Sequence, residues 1–96
     1  MTIQSEKLIE RAFAAWCRAN DIVCIKLSPD SARGVPDRLV IQGQGSSLFL
    51  EFKKPGGTLS LHQIEWQKKL RSLGHKYATV YSKEEAIKAT KKFLNK

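Results

Sequence analysis

Two short runs of apolar residues, separated by only four residues, most constrain what this chain can fold into. Residues 37–42 and residues 47–53 each have the length and composition of a β-strand. The connection between them, Gly43-Gln44-Gly45-Ser46, is short and contains two glycines. A connection of this kind favours an antiparallel hairpin. The sequence therefore predicts two neighbouring strands of one sheet.

Side chains of the second run alternate between two faces, and both faces are partly apolar. Leu48, Leu50 and Phe52 occupy one face, and Phe49 shares the other face with Glu51 and Lys53. A strand that is apolar on both faces is typical of a sheet covered by helices on both sides.

Helical patterns precede and follow this hairpin. Apolar residues at helical spacing, among them Ile9, Phe13 and Trp16, predict an amphipathic helix over residues 3–20. Ser60 is the expected N-cap of a second helix that ends near Leu73, with Gly74 after its end and with residues 63, 66, 70 and 73 on one face. Ser82 and Glu85 form a predicted capping box for a last helix through Leu94.

Two further strands complete the pattern. Residues 22–27 form a continuous, β-branched apolar run, followed by a loop over residues 28–36 that holds two prolines and a glycine. Residues 76–81 form the fourth strand. The predicted fold class is α/β in the order αβββαβα, with a central mixed sheet flanked by helices. At 96 residues, a single domain spanning 1–96 is expected.

Charge is distributed unevenly along the chain. The formal net charge is +8, and residues 49–96 hold eleven basic and four acidic side chains, against six and five in residues 1–48. Such a surplus attracts polyanions, of which nucleic acid is the common intracellular example, although a charge run can also be only a solvated helix face. No leader, membrane span or zinc-ligand set is recognisable, and Cys17 and Cys24 are expected as reduced thiols in a cytoplasmic protein.

The hairpin brings together residues that can perform chemistry. Asp37 begins the first strand after a proline, and Glu51 and Lys53 end the second strand on one face. In a tight hairpin the three side chains meet at one edge of the sheet. Two adjacent carboxylates repel each other unless one is protonated or a divalent cation binds, and oxygen ligands favour Mg²⁺. The alternative is a surface ion pair between Glu51 and Lys53, with Asp37 merely ending a turn.

These residues carry a resemblance to a known family. Pro36-Asp37 followed by Glu51-Phe52-Lys53 resembles the PD-(D/E)xK nuclease signature, and the chain resembles a stand-alone VRR-NUC domain, the virus-type replication-repair nuclease. An early helix with Glu6, the Gly34-Val35-Pro36-Asp37 turn and a helix beginning Leu61-His62-Gln63 belong to the same pattern. The resemblance covers nearly the whole chain and implies a restriction-endonuclease-like core.

The resemblance also implies residue roles. Asp37 and Glu51 would bind Mg²⁺ or Mn²⁺ together with the backbone carbonyl of Phe52, Lys53 would be the catalytic lysine, and Gln63 would support the site. From the residues alone, Gln63 also reads as the partner of Ser60 in a capping box.

Glu6 and Glu10 compete for a third acidic position. At about 100° per residue, Glu6 falls on the flank of the apolar stripe of the first helix and Glu10 farther round towards solvent. Glu6 is therefore the candidate metal ligand, direct or through water. The alternative for Glu6 is a favourable charge near a helix N-terminus.

Basic and polar side chains around this edge are candidate nucleic-acid contacts, with a solvated surface as the alternative reading: Lys26, Ser28, Arg33, Lys54 and Lys68. The family resemblance implies a metal-dependent, structure-selective DNA endonuclease that acts on four-way (Holliday) junctions as a homodimer, without a membrane or a small-molecule cofactor. A catalytically inactive DNA-binding or interaction module on the same fold, or a nuclease for other branched or duplex substrates, remains the alternative.

Overall fold

A computed structural model describes residues 5–28 and 32–95, and its elements follow the predicted order. The helices are α1 (Glu6–Ala19), α2 (Leu61–Ser72) and α3 (Lys83–Leu94), and the strands are β1 (Val23–Lys26), β2 (Arg38–Ile41), β3 (Ser47–Phe52) and β4 (Lys76–Val80). A short 3₁₀ turn over Gly43–Gly45 joins β2 to β3. The predicted first helix extends to residues 3 and 4, and the predicted loop includes residues 29–31, all of which lie outside the described residues.

The four strands form one mixed sheet in the order β1-β2-β3-β4. β1, β2 and β3 are antiparallel neighbours, whereas β4 is parallel to β3 and is reached through α2. The predicted mixed α/β architecture is therefore confirmed. None of the helices in the described part of the chain is long and apolar enough to cross a membrane.

The hydrophobic core lies between α1, α3 and one face of the sheet. Its buried members come from both helices and from three strands: Ile9, Phe13, Cys17, Val40, Leu48, Leu50, Phe52, Val80 and Ala86. α2 packs on the opposite face, against β4. This arrangement covers β3 on both sides, as its two partly apolar faces predict, and places Asp37 and Glu51 on the α2 side.

Local signals define the helix ends. The Ser60 hydroxyl accepts from the Gln63 N–H, and after α2 Gly74 adopts φ +88° while its N–H bonds to the Arg71 carbonyl. Ser82 caps α3 as predicted, but Glu85 accepts from the N–H of Tyr81 rather than from that of Ser82, so the predicted capping box is displaced by one residue. Leu73 follows the last turn of α2 and is 67% exposed, so it does not share the buried position of Leu70.

α1 is rotated relative to the predicted stripe. Its buried side chains are Ile9, Glu10, Phe13, Ala14 and Cys17, whereas Trp16 is only half-buried. The placement of Glu10 towards solvent was therefore wrong. The Glu10-Ala14 row faces the protein interior because partners on β1 and β2 compensate the carboxylate charge.

Candidate active site

Asp37 and Glu51 face each other across the β2–β3 hairpin. Arg38 pairs with Leu50 in the ladder, which places the preceding Asp37 opposite the following Glu51. The Asp37 N–H donates to the Leu50 carbonyl at 3.0 Å, and the Phe52 N–H donates to Asp37 Oδ2 at 2.7 Å. The backbone of the neighbouring strand thus fixes the Asp37 carboxylate, and the juxtaposition predicted from the sequence is confirmed.

Burial makes this carboxylate pair costly in its charged form. Glu51 is 2% exposed, and burial, followed by the charge of Asp37, raises its pKa to about 8. Burial also raises the pKa of Asp37, while the hydrogen bond from Phe52 opposes that shift. Lys53 lowers the pKa of Glu51 but does not cancel the other effects. A metal-free site therefore retains a proton near neutral pH.

Gln63 joins the start of α2 to the acidic pair. Its side-chain oxygen accepts from the Ser60 N–H at 2.8 Å, and its Nε2 donates to Glu51 Oε2 at 3.1 Å. The two readings of Gln63, capping residue and site support, both describe its contacts. One amide group uses its acceptor for the helix end and its donor for Glu51.

The second carboxylate oxygen of Glu51 could accept a further ligand. Glu51 Oε1 is buried and receives no hydrogen bond from an N–H or hydroxyl group of residues 5–28 and 32–95, which is unusual for a carboxylate oxygen in a protein interior. An oxygen of this kind beside the Asp37 carboxylate and the Phe52 backbone suits a hard divalent cation, which would take its remaining ligands from water and phosphate. The residues present therefore fit Mg²⁺ or Mn²⁺.

Glu6 lies near this pair without completing it. No cluster of three or more Asp, Glu, His or Cys side chains suited to a metal ion occurs among residues 5–28 and 32–95. Glu6 instead accepts a hydrogen bond from the Lys54 N–H at 3.3 Å and raises the pKa of both Asp37 and Glu51 through its charge. Because α1 packs on the opposite face of the sheet, Glu6 reaches the end of β3 rather than the acidic pair.

The predicted basic residues are spread around the site. Lys53 follows the last residue of β3 and is half-buried, whereas Lys54, Arg33 and Lys68 are exposed. Lys26 and Ser28 lie at the exposed end of β1, with Lys26 bound to Glu10. Among these side chains, Lys53 lowers the pKa of Glu51 through its charge.

The loop before Asp37 is docked directly on α2. Gly34 has φ +85°, and a Cβ atom there would lie 2.6 Å from the carbonyl carbon of His62. The indole N–H of Trp66 donates to the Arg33 carbonyl at 3.0 Å. These contacts explain why glycine precedes Val35-Pro36-Asp37: the close approach brings α2, and with it Gln63, to the acidic pair.

Two hydroxyls of β4 lie on the α2 side of the sheet and were missed by sequence reasoning. Thr79 pairs with Glu51 in the ladder, and Tyr77 lies two residues earlier on the same face. Both hydroxyl oxygens are buried, and the Thr79 hydroxyl lowers the pKa of Tyr77, whereas burial raises it. Strand alternation could have placed them on one face, but the register that brings Thr79 to Glu51 comes from the parallel pairing.

Comparisons with known proteins agree with this geometry. No family model matches the chain. A protein of Acyrthosiphon pisum secondary endosymbiont phage 1, named "Putative nuclease p44", is 31% identical over 84 residues, covering 88% of this chain and 90% of the relative. A solved structure named as a VRR-NUC domain has a TM-score of 0.76 and 23% identity, covering 92% of this chain and 97% of that one.

The mixed sheet carries a carboxylate pair at its hairpin, and the structural match covers almost the whole domain. The domain therefore has the VRR-NUC fold. The similarity to the phage protein extends along almost the whole of both chains. The chain belongs to the VRR-NUC nuclease family.

Proposed function

We propose that the protein is a divalent-metal-dependent endonuclease that hydrolyses DNA phosphodiester bonds and selects four-way junctions. The observation that carries the proposal is the pairing of half-buried Asp37 with buried Glu51, one oxygen of which receives no hydrogen bond from an N–H or hydroxyl group of the described residues. A charged pair of this kind is stabilised by a divalent cation, and a phosphodiester is a ligand that such a cation shares.

Each residue of the site has a definable task. Asp37, held by the Phe52 N–H, and Glu51, held by Gln63, are the proposed metal ligands together with the Phe52 carbonyl. When bound, Mg²⁺ or Mn²⁺ would supply Lewis-acid polarisation of the phosphodiester. Lys53 would place its ammonium against the phosphoryl oxygens and stabilise the charge that develops on them.

Contacts to the nucleic acid are proposed for the basic and polar side chains around this edge. Lys54 follows Lys53 directly, Arg33 lies on the loop docked against α2, and Lys68 is exposed on α2. Lys26 and Ser28 extend the same edge from β1. Such contacts to phosphates would position a duplex without reading its sequence.

An uncovered apolar surface supports a homodimer. Val23, Ile25 and Ile41 lie on the outer face of the β1–β2 ladder and are 54%, 43% and 39% exposed. α2 covers β4 and leaves these residues open. A second copy would bury this face, and a two-fold axis would present two sites to two strands of a junction. The relative encoded by a phage fits a protein that acts in a bacterial or virus-infected cytoplasm.

Cleavage of a synthetic four-way junction tests the proposal. With Mg²⁺ or Mn²⁺, the protein should introduce paired, symmetric nicks, and Lys53→Ala should bind the junction without cutting it. Equal cutting of linear duplex would exclude junction selectivity. Binding without cutting by the unmutated chain, with either metal, would instead identify an inactive DNA-binding module.

A further inference from the structure

A cleft beside Asp37, on the α1 side of the sheet, has the character of an anion site. It has a volume of about 680 Å³ and is formed by α1, the ends of β1 and β2, and the turn before Asp37. Four basic side chains line it, Lys7, Arg11, Lys26 and Arg38, together with three carboxylates, Glu6, Glu10 and Asp37, so the basic groups are in slight excess. Sequence analysis had singled out only Lys26 among the basic groups.

One carboxylate holds two of these cations. Glu10 Oε2 accepts from Arg38 Nε at 2.7 Å and from Lys26 Nζ at 3.1 Å. The Arg38 and Glu10 side chains are 14% and 10% exposed, so this ion pair is largely removed from water, whereas the Lys26 side chain is 63% exposed and adds a solvated positive charge to it. The exposed Lys26 charge stays available to a further anion at the cleft.

The other two cations stand on the adjacent surface of α1. Lys7 and Arg11 are four residues apart, so they project from the same side of the helix, and both are exposed. Neither is engaged in an ion pair within residues 5–28 and 32–95. With Lys26 and Arg38 they line the same cleft as Asp37.

We propose that this cleft binds the phosphodiester backbone of the nucleic-acid strand next to the cleaved bond, with Lys7, Arg11, Lys26 and Arg38 as phosphate contacts and Glu10 as the residue that positions Arg38 and Lys26. The inference rests on the proposed nuclease function and adds a second binding surface, on the opposite side of the sheet from Lys68. Guanidinium and ammonium groups that line one wall of a cleft can each bind one of the successive phosphates of a nucleic-acid strand.

Anisotropy of a dye-labelled four-way junction, with Ca²⁺ replacing Mg²⁺, tests the cleft. The double variant Lys7→Ala with Arg11→Ala should weaken binding about tenfold and make the negative slope of log K against log salt shallower by nearly 2, since each phosphate contact contributes about −0.9. Lys26→Ala, which leaves the Arg38–Glu10 pair intact, should weaken binding further. Circular dichroism should show an unchanged fold, because all three side chains are on the surface.

A matched control removes two charges elsewhere. Lys88 and Lys91 are exposed on α3 and do not line the cleft. Replacing both with Ala should change binding less than threefold. An equal loss of binding in the control variant, or unchanged binding when the Lys7 and Arg11 side chains are removed, would contradict the proposed phosphate site. Junction cutting by the unmutated protein would in that case still support the proposed nuclease function. Absence of both binding and cutting in the unmutated protein would overturn both proposals.

Discussion

The side-chain amide of Gln63 lies 3.1 Å from Glu51 and donates to it from the first turn of α2, on the far side of the sheet from the main core. The same amide closes the capping box with Ser60. Correct formation of a helix end and correct orientation of the candidate metal ligand therefore depend on one side chain.

Replacing Gln63 separates these two tasks. Gln63→Ala should lower kcat at least tenfold, because Glu51 loses its orienting donor, and should lower stability by about 0.5–1 kcal/mol through the cap. Ser60→Ala removes only the cap and should cost a similar ~1 kcal/mol while retaining most of kcat. Junction cleavage and urea unfolding measure the two effects, and equal kcat in both variants would contradict a role at Glu51.

The buried acidic pair should give the metal-free protein an unusual pH dependence. Burial raises the pKa of Glu51 from 4.5 to about 8, and it also raises the pKa of Asp37, so the folded state binds more protons than the unfolded state between these values. This contribution to stability is fully present below pH 4.5 and is lost as pH rises through 8.

Urea unfolding in EDTA across this range measures the effect. The free energy of unfolding attributable to Glu51 should fall with increasing pH by about 1.4 kcal/mol for each unit over which the two states differ in protonation. Glu51→Gln should flatten the profile, and Mg²⁺ should restore stability at high pH because it binds the charged pair. A flat profile in the unmutated protein would contradict this account.

Gly34 should be intolerant of any side chain. Gly34→Ala combines a positive φ with a Cβ that would lie 2.6 Å from the His62 backbone, so α2 must shift and Gln63 must move away from Glu51. We expect a loss of about 2–4 kcal/mol and a strong fall in cleavage. Gly45→Ala is the control, because Gly45 has φ +75° but a Cβ atom added there would have no neighbouring atom of residues 5–28 and 32–95 within 4 Å. It should cost only ~1 kcal/mol and leave cleavage unchanged.

Removing the Glu10 carboxylate should strongly destabilise the fold. Glu10→Ala leaves the buried Arg38 side chain without its anion, and we expect a loss of about 3–5 kcal/mol in thermal or urea unfolding. Glu65→Ala, which removes only an exposed contact to His62 at 3.6 Å, should change stability by less than ~0.5 kcal/mol. Similar small effects in both variants would show that Arg38 does not need Glu10.

The proposed dimer can be disrupted at the uncovered sheet face. Ile25→Lys places a charge between Val23 and the rest of the apolar surface and should convert the dimer to a monomer in sedimentation experiments. Leu61→Lys changes an isolated apolar residue, 70% exposed at the start of α2, and should leave the dimer intact. A monomeric unmutated protein, or a dimer that survives Ile25→Lys, would contradict this interface.

Much of the site could be predicted because its central geometry is local. Asp37 precedes the first strand of one hairpin and Glu51 ends the second strand, so a short connection and strand alternation suffice to make them neighbours at its open end. Glu10 could not be predicted in the same way, because its burial depends on Arg38 and Lys26, which lie 28 and 16 residues away in the chain. A helical wheel contains no information about those partners.

The sequence by itself determined the order of elements, the N-caps Ser60 and Ser82, and the pairing of the two acidic residues, since each depends on interactions within a few residues or one tight turn. Only the tertiary structure decided the rotation of α1, the docking of Gly34 on His62 and the joining of Gln63 to Glu51. Those features depend on how separate elements pack together and on which partners compensate a buried charge. Neither the packing nor the partners are defined until the sheet and helices are assembled.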